Sequence, residues 1–298
     1  MTTSNQMVQQ KMPFSVAVNT PSMQKLIANA LHDPARCARF TASIVSAVSV
    51  NQALQNCDRN TVISGALLGE SLNLSPSPQL GQYYLVPFNN KKKGMQDAQF
   101  VLGYKGYVQL ALRSGQYKSI NVEIVKQGEY KGRDPMTGDP RFQFLEDDDE
   151  WERLPVIGYM ASFEYLNGFR KVLYWSKEKM MNHADRYSAA FSRKAYENLI
   201  AGNIPQGEMW KYSSFWYKDF DSMAKKTMLR QLISKWGIMS TDMQSAYESD
   251  SRVIEETESG QLVPQVEEEP PQQIEEPQAT AQIPAQPAEP KQIDLSSL

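Results

Sequence analysis

Apolar positions recur at two different spacings along this chain, and the change of period organises it. Over residues 22–72 the spacing is helical. Pro34 falls where the first turn of a helix tolerates proline, and Ala42, Val45, Val48 and Ser49 recur near the spacing of one helical face. Asn60 is placed to cap a helix over residues 61–72, with Ile63, Ala66 and Leu67 inward and Glu70 outward. Ser75-Pro76-Ser77-Pro78 ends that run. The period then shortens to two. Residues 83–88 and 98–102 read as a strand and its return, joined by a loop over 89–94. Residues 107–113 predict a helix stopped by Gly115, which suits a left-handed cap, with Arg113 favourably placed in the last turn. Residues 119–125 and 142–145 read as strands, and 146–152 as an acidic connection. Residues 156–165 and 169–175 flank Asn167-Gly168, a strong hairpin signal. Ser176 caps a helix predicted to run to residue 192, 202–213 reads as a loop, and 219–236 predicts a long helix.

The pattern specifies an α+β fold: antiparallel β-hairpins packed with helices in a single body, with no βαβ repeat. Residues 1–20 are polar and read as a flexible N-terminus, 21–250 as the body, and 251–298 as a disordered acidic tail rich in Pro, Gln and Glu. Such a tail buries too little apolar area to offset its ordering entropy.

Charge changes the picture. The chain carries 31 Lys and Arg against 34 Asp and Glu, a net charge of -3. From Glu248 onward there are 12 acids and only two bases, Arg252 and Lys291, so the tail is -10 and the body +7. A basic body with an acidic tail is common among nucleic-acid binders. Ile293 to Leu298 gives the tail a small apolar end suited to docking on a partner. No apolar stretch approaches the ~20 residues a membrane span requires, and the polar start lacks an apolar signal core, so a cytoplasmic protein is expected. Cys37 and Cys57 read as reduced thiols, and His32 and His183, far apart in sequence, as surface or packing histidines.

The candidate chemistry concentrates between Tyr83 and Tyr117, where aromatics, amides and cations alternate and Asp97 is the one carboxylate. Cations neutralise phosphates, aromatic faces stack on bases, and glycines permit close backbone approach. Lys91, Lys92 and Lys93 are placed to project from a hairpin. Lys105, Gln109 and Arg113, four apart, share one helical face with Tyr104 at its mouth. A second basic cluster is Lys225, Lys226 and Arg230. There Met228, Leu229, Leu232, Ile233 and Trp236 form the apolar face and Lys226 and Arg230 lie off it. Lys225 falls toward the apolar side, either snorkelling or paired with a carboxylate such as Asp221. Arg170 and Lys171 follow the Asn-Gly turn and add two cations, whereas Trp210, Phe215 and Trp216 read as core anchors.

Other chemistries lack their residues. No G-x-x-x-x-G-K-[ST] loop for ATP is present. The five acids Glu146 to Glu150 could suggest a metal-dependent nuclease, but adjacent carboxylates on one loop diverge, whereas such sites need convergence from several elements. No catalytic residue, metal ligand or cofactor site stands out. From the residues alone, the chain reads as a basic single-strand binder.

Gln99 to Gly115, preceded by Tyr84 to Phe88, resembles the central motif of the RecT family of phage single-strand annealing recombinases. Trp216 followed by Met223 to Leu232 resembles that family's second motif, in the right order and at the right distance. The resemblance spans roughly residues 22–250. Phe220 stands where the family carries a second tryptophan, and the lysine run occupies what is otherwise a shorter turn. The resemblance implies a non-enzymatic DNA-binding protein. It implies ATP-independent annealing of single-stranded DNA through an annealed duplex intermediate, by a homo-oligomer in rings or filaments. It also implies an exonuclease partner, with a host single-strand binding protein as another candidate. The runner-up is a sequence-tolerant single-strand protector that does not anneal.

Overall fold

A computed structural model describes residues 12–90, 92–257 and 261–265. Among the described residues four α-helices come first: α1 (Phe14–Ala17), α2 (Pro21–Leu31), α3 (Pro34–Val50) and α4 (Arg59–Ser71). A hairpin of β1 (Tyr83–Asn90) and β2 (Met95–Leu102) leads into α5 (Tyr104–Arg113). Then come β3 (Tyr117–Lys126), a short ribbon of β4 (Tyr130–Arg133) and β5 (Pro140–Phe142), α6 (Asp148–Arg153), and the hairpin β6 (Val156–Tyr165) and β7 (Arg170–Ser176). The remainder is α7 (Lys177–Tyr187), α8 (Arg193–Ile200), α9 (Phe215–Lys218), α10 (Phe220–Trp236), α11 (Thr241–Ser249), β8 (Arg252–Glu256) and β9 (Leu262–Pro264). All strand pairing between these named strands is antiparallel, in sheets ordered β1-β2-β8-β9, β3-β6-β7 and β4-β5. The α+β class therefore holds. Among the described residues no helix is long and apolar enough to cross a membrane.

Two packing centres organise the body. Helix α4 is buried from Thr61 through Gly69 and packs against β1, β2 and β8. Gly69 lets it approach, because a Cβ there would lie 2.3 Å from Cζ of Tyr83. Helix α10 crosses the three-stranded sheet. The alternate residues Tyr159, Ala161, Phe163 and Tyr165 of β6 are buried, as period-two patterning requires. The Tyr159 hydroxyl donates to Asp221 at 2.6 Å. The Tyr165 hydroxyl donates to the Trp236 carbonyl at 2.8 Å and accepts from the Ile238 N–H at 2.7 Å.

Several sequence expectations are corrected. The N-cap of α4 is Asp58, whose carboxylate accepts the Asn60 N–H at 2.9 Å, so the helix starts one turn-fraction earlier than an Asn60 cap would set it. The inward face of α3 is Phe40, Ile44 and Val48, a strict i, i+4, i+8 stripe; Ala42 and Ser49 are exposed. The helix after Ser176 ends at Tyr187, and Ser192, rather than closing it, caps α8. The acidic run over 146–152 includes a helix, because Asp147 caps it and Asp148, Asp149 and Glu150 favour its first turn. The strand predicted over 142–145 stops at Phe142, after which Glu129 takes the N–H groups of Gln143 and Leu145 through its carbonyl and carboxylate. The 202–213 loop contains a 3-10 turn over Gln206–Tyr212. At the β6–β7 hairpin only Gly168, at φ 85°, takes a left-handed conformation, so the turn is not the doubly left-handed type that Asn-Gly favours.

Both ends of the body also move. Phe14 and Val18 are buried, so folded structure begins within the segment expected to be flexible. At the other end β8 pairs with β2 and buries Val253 and Ile254, which carries the body past Asp250 to Gln265. The Pro-, Gln- and Glu-rich segment from residue 266, with its apolar end, lies outside the described residues.

A chain cut after Asp250 loses the burial of Val253 and Ile254, worth about 1.5–3 kcal/mol per side chain. It is expected to unfold at a clearly lower urea midpoint than a chain cut after Gln265. Equal midpoints would mean that β8 contributes nothing to the fold.

Candidate nucleic-acid interface

The Gly-Tyr-Lys-Gly motif at residues 103–106 is a packing device. A Cβ at Gly103 would lie 2.1 Å from the Gly81 carbonyl oxygen, and one at Gly106 2.2 Å from that of Gln82. The backbone these glycines admit is the protein's own. The Gly103 N–H donates to the Gln82 carbonyl at 2.8 Å, which locks the start of α5 against the entry to β1. Tyr104 and Lys105 are thereby set beside β1.

Five side chains converge there. Tyr83 points into the core and Tyr84, one residue on, points out. Tyr84 and Lys105 both lean over Gly81. Tyr84 meets Phe215 with ring centroids 4.9 Å apart. Burial, Asp219 and Tyr104 together raise the Tyr84 phenol above its ordinary pKa. Lys225 lies 5.7 Å from the centre of the Tyr104 ring and 3.6 Å from Glu123. The surface thus combines three aromatic rings with two cations. A long, half-exposed contact such as Lys225–Glu123 is worth little, so a phosphate can replace it. Lys105 and Gln109 are exposed along α5, on one face as its period predicts.

Other predicted site residues have different work. Arg113 is exposed, yet its guanidinium donates to the carbonyls of Leu72 at 2.7 Å and Asn73 at 3.3 Å, capping the end of α4. Lys226 and Arg230 both turn toward one carboxylate. Lys226 is only 7 % exposed and pairs with Asp250 Oδ1 at 2.7 Å, while Arg230 pairs with Oδ2 at 2.6 Å and lies 4.3 Å from the centre of the Tyr247 ring. The helical projection is inverted at this point: Lys226 faces in and Lys225 faces the surface, with Glu123 rather than Asp221 as its partner, because Asp221 is taken by Tyr159. The cause is a buried carboxylate that draws both cations inward. Arg170 is exposed and pairs with Glu164, and Lys171 lies between Asp139 and the Trp236 ring. Both are on β7, the opposite edge of the sheet from β3 and its Glu123. In the hairpin loop Lys92 is exposed, Lys93 is tied to Glu255 at 2.8 Å and Asp97 at 3.6 Å, and Lys91 lies outside the described residues.

Sequence patterning pointed to neither Tyr84 nor Phe215. Strand alternation after the buried Tyr83 was the available signal for the first. Phe215 shares its short helix with Trp216, which is buried as a core anchor, while Phe215 is half-buried. Trp210 is no core anchor, being 72 % exposed.

The Asp250 carboxylate also accepts the Leu102 N–H at 2.9 Å and the Tyr107 hydroxyl at 3.3 Å. Burial alone would raise its pKa. The Lys226 and Arg230 charges and the hydrogen bonds from Lys226 and Leu102 outweigh burial and leave it below the ordinary carboxylate value. Among the described residues, no cluster of three or more His, Cys, Asp or Glu is arranged to hold a metal ion, the acids of α6 included.

Residues 38–267 match the RecT family. The uncharacterized protein YqaK of Bacillus subtilis (strain 168) is 39% identical over 228 residues, which cover 76% of this chain and 67% of that protein. Protein RecT of Escherichia coli (strain K12) is 35% identical over 114 residues, 38% of this chain and 42% of its own length.

Asp250→Asn leaves a buried lysine and a partly buried arginine without a counter-charge and is expected to destabilise the fold by about 3–5 kcal/mol at neutral pH. A depressed carboxylate contributes stability that is present in full above its unfolded value of about 3.9. That contribution is lost as pH falls through the lower folded value, so wild type and variant should converge there. Urea unfolding at pH 7 and across that acid range measures both effects. Equal stability at pH 7 would remove Asp250 from this role.

Proposed function

This chain belongs to the RecT family, and from that premise we propose that it binds single-stranded DNA and anneals complementary strands without ATP, as a homo-oligomer. The match over residues 38–267 carries the reading, since it spans the body from within α3 through its last described strand. The family is one of DNA recombination and single-strand annealing. Assembly into rings or filaments, and work beside an exonuclease or a host single-strand binding protein, belong to the same proposal.

The chemistry at the start of α5 suits the task. Lys105 and Lys225 neutralise phosphates, Gln109 offers an amide to backbone or base edge, and Tyr84, Tyr104 and Phe215 present ring faces to unstacked bases. Lys92 extends the cationic surface from the hairpin. Arg113, exposed on α5, ties that helix to the end of α4, while Lys226 and Arg230 hold α10 in place from beneath. None of these contacts reads sequence. Base pairing between the two strands supplies the specificity, and the protein lowers their mutual repulsion and holds their bases open.

Mixing complementary oligonucleotides with the full chain should accelerate duplex formation equally with and without ATP; a protector would bind both strands and leave the rate unchanged. Replacing Lys105 and Lys225 together with Ala should reduce the log–log salt slope of single-strand binding by about 1.4, at about 0.7 per phosphate contact. Tyr84→Ala should weaken binding by about 1–3 kcal/mol, the value of one stacked base. Wild-type affinity and slope in all these variants would place the strand elsewhere.

A further inference from the structure

The β4–β5 ribbon is not used by the surface just described, and its chemistry resembles that surface. Tyr130 and Phe142 are opposed across the ribbon and share one face. That face lies against β7: Tyr130 stacks on Tyr174 at 4.4 Å, and Phe142 contacts Tyr174 at 5.7 Å and Phe144 at 5.8 Å. The ribbon is therefore held on an aromatic footing. Lys131 and Arg141, next to the two opposed aromatics, are exposed and make no ion pair within 4 Å among the described residues, although the Arg141 charge acts at longer range on Asp134. Arg133 is exposed too and spends one donor on the Gly138 carbonyl at 3.0 Å.

The carboxylates nearby are already occupied. Asp134 takes the N–H groups of Met136 and Thr137 in the turn, Asp139 pairs with Lys171, and Glu129 is fully buried. The acids of α6 lie toward the foot of the ribbon, where Trp151 sits under Lys126. At the opposite end, the tip, Met136 is 92 % exposed and follows Pro135. A basic two-stranded ribbon ending in an unsupported apolar side chain matches what polynucleotides ask of a protein. Cations meet phosphates along the ribbon, and the tip supplies a wedge that enters between bases.

We propose that this ribbon is a second polynucleotide-binding element, taking the phosphates of an incoming strand on Lys131, Arg133 and Arg141 and seating Met136 between its bases. The first strand stays on the Tyr84–Tyr104–Lys105–Lys225 surface. The two elements lie toward opposite edges of the three-stranded sheet: Glu123, the partner of Lys225, is on β3, and the ribbon stands on Tyr174 of β7. Two interstrand spacings, about 10 Å, separate those edges. The inference rests on the annealing reading and adds a place for the second strand.

The test uses the full chain preloaded with one fluorescent oligonucleotide, to which a second, non-complementary labelled strand is added; energy transfer reports capture of both. Lys131→Ala/Arg141→Ala, two substitutions that break no ion pair, should keep the wild-type melting temperature and hold the first strand within about twofold. Capture of the second strand, and the annealing rate with complementary strands, should fall about tenfold, with a salt slope for capture shallower by about 1.4. Met136→Ser should slow annealing with no change in that slope. Undiminished capture by the double variant would overturn this inference alone. First-strand binding that falls in parallel would do so too, because the ribbon would then belong to one continuous site. A wild-type chain that fails to hold even the first strand would overturn the annealing reading, and the ribbon's role with it.

Discussion

One buried carboxylate holds the body of this protein together. Asp250 receives two cations from α10, a phenol from α5 and the backbone N–H that ends β2. A pair of this kind gains little over a well-packed apolar core, yet losing one partner leaves uncompensated charge in the interior. Its worth lies in definition. Two stretches distant in sequence, β2–α5 and α10–α11, meet at one point, and their relative placement is fixed by directional bonds rather than by packing alone. Lys225 reaches the surface because Lys226 and Arg230 are turned inward.

The candidate surface inherits that placement. Tyr104 belongs to a helix whose inner face carries Tyr107 to Asp250, and Lys225 belongs to the helix that supplies both cations. The two sides of the surface are thus joined beneath by a common ion cluster. The glycines at 103 and 106 complete the arrangement by letting α5 rest on the backbone at Gly81 and Gln82. Rings and cations that must meet a strand in register are carried on elements with little freedom to shift, and fixed geometry of that kind lowers the ordering cost of binding.

Periodicity made most of the fold legible. Alternation over residues 156–165 and 83–88 gave strands, and the apolar stripe of 219–236 gave α10, because each is a local pattern with one dominant face. Legibility failed where a distant partner decides the outcome. Lys226 looks solvent-facing beside Lys225 until Asp250, twenty-four residues on, is known to lie in the core. Arg113 looks like a free cation until the carbonyls of Leu72 and Asn73 arrive from α4. The segment after Asp250 looks like tail by composition, but Arg252 and Val253 have the edge of β2 to pair with. Short polar signals were read two residues off at Asp58 and one element off at Ser192, because several caps compete within a few positions.

The pairing of β8 with β2 also sets a timetable for synthesis. About 150 residues separate the two strands, and at about 5–20 residues per second the ribosome needs roughly 8–30 s to deliver the second after the first. Throughout that interval the edge of β2 that β8 covers has no native partner, and over its last part the two cations of α10 wait for Asp250. An unpaired edge of this kind is open to association with other chains until β8 emerges, and slower translation prolongs that exposure.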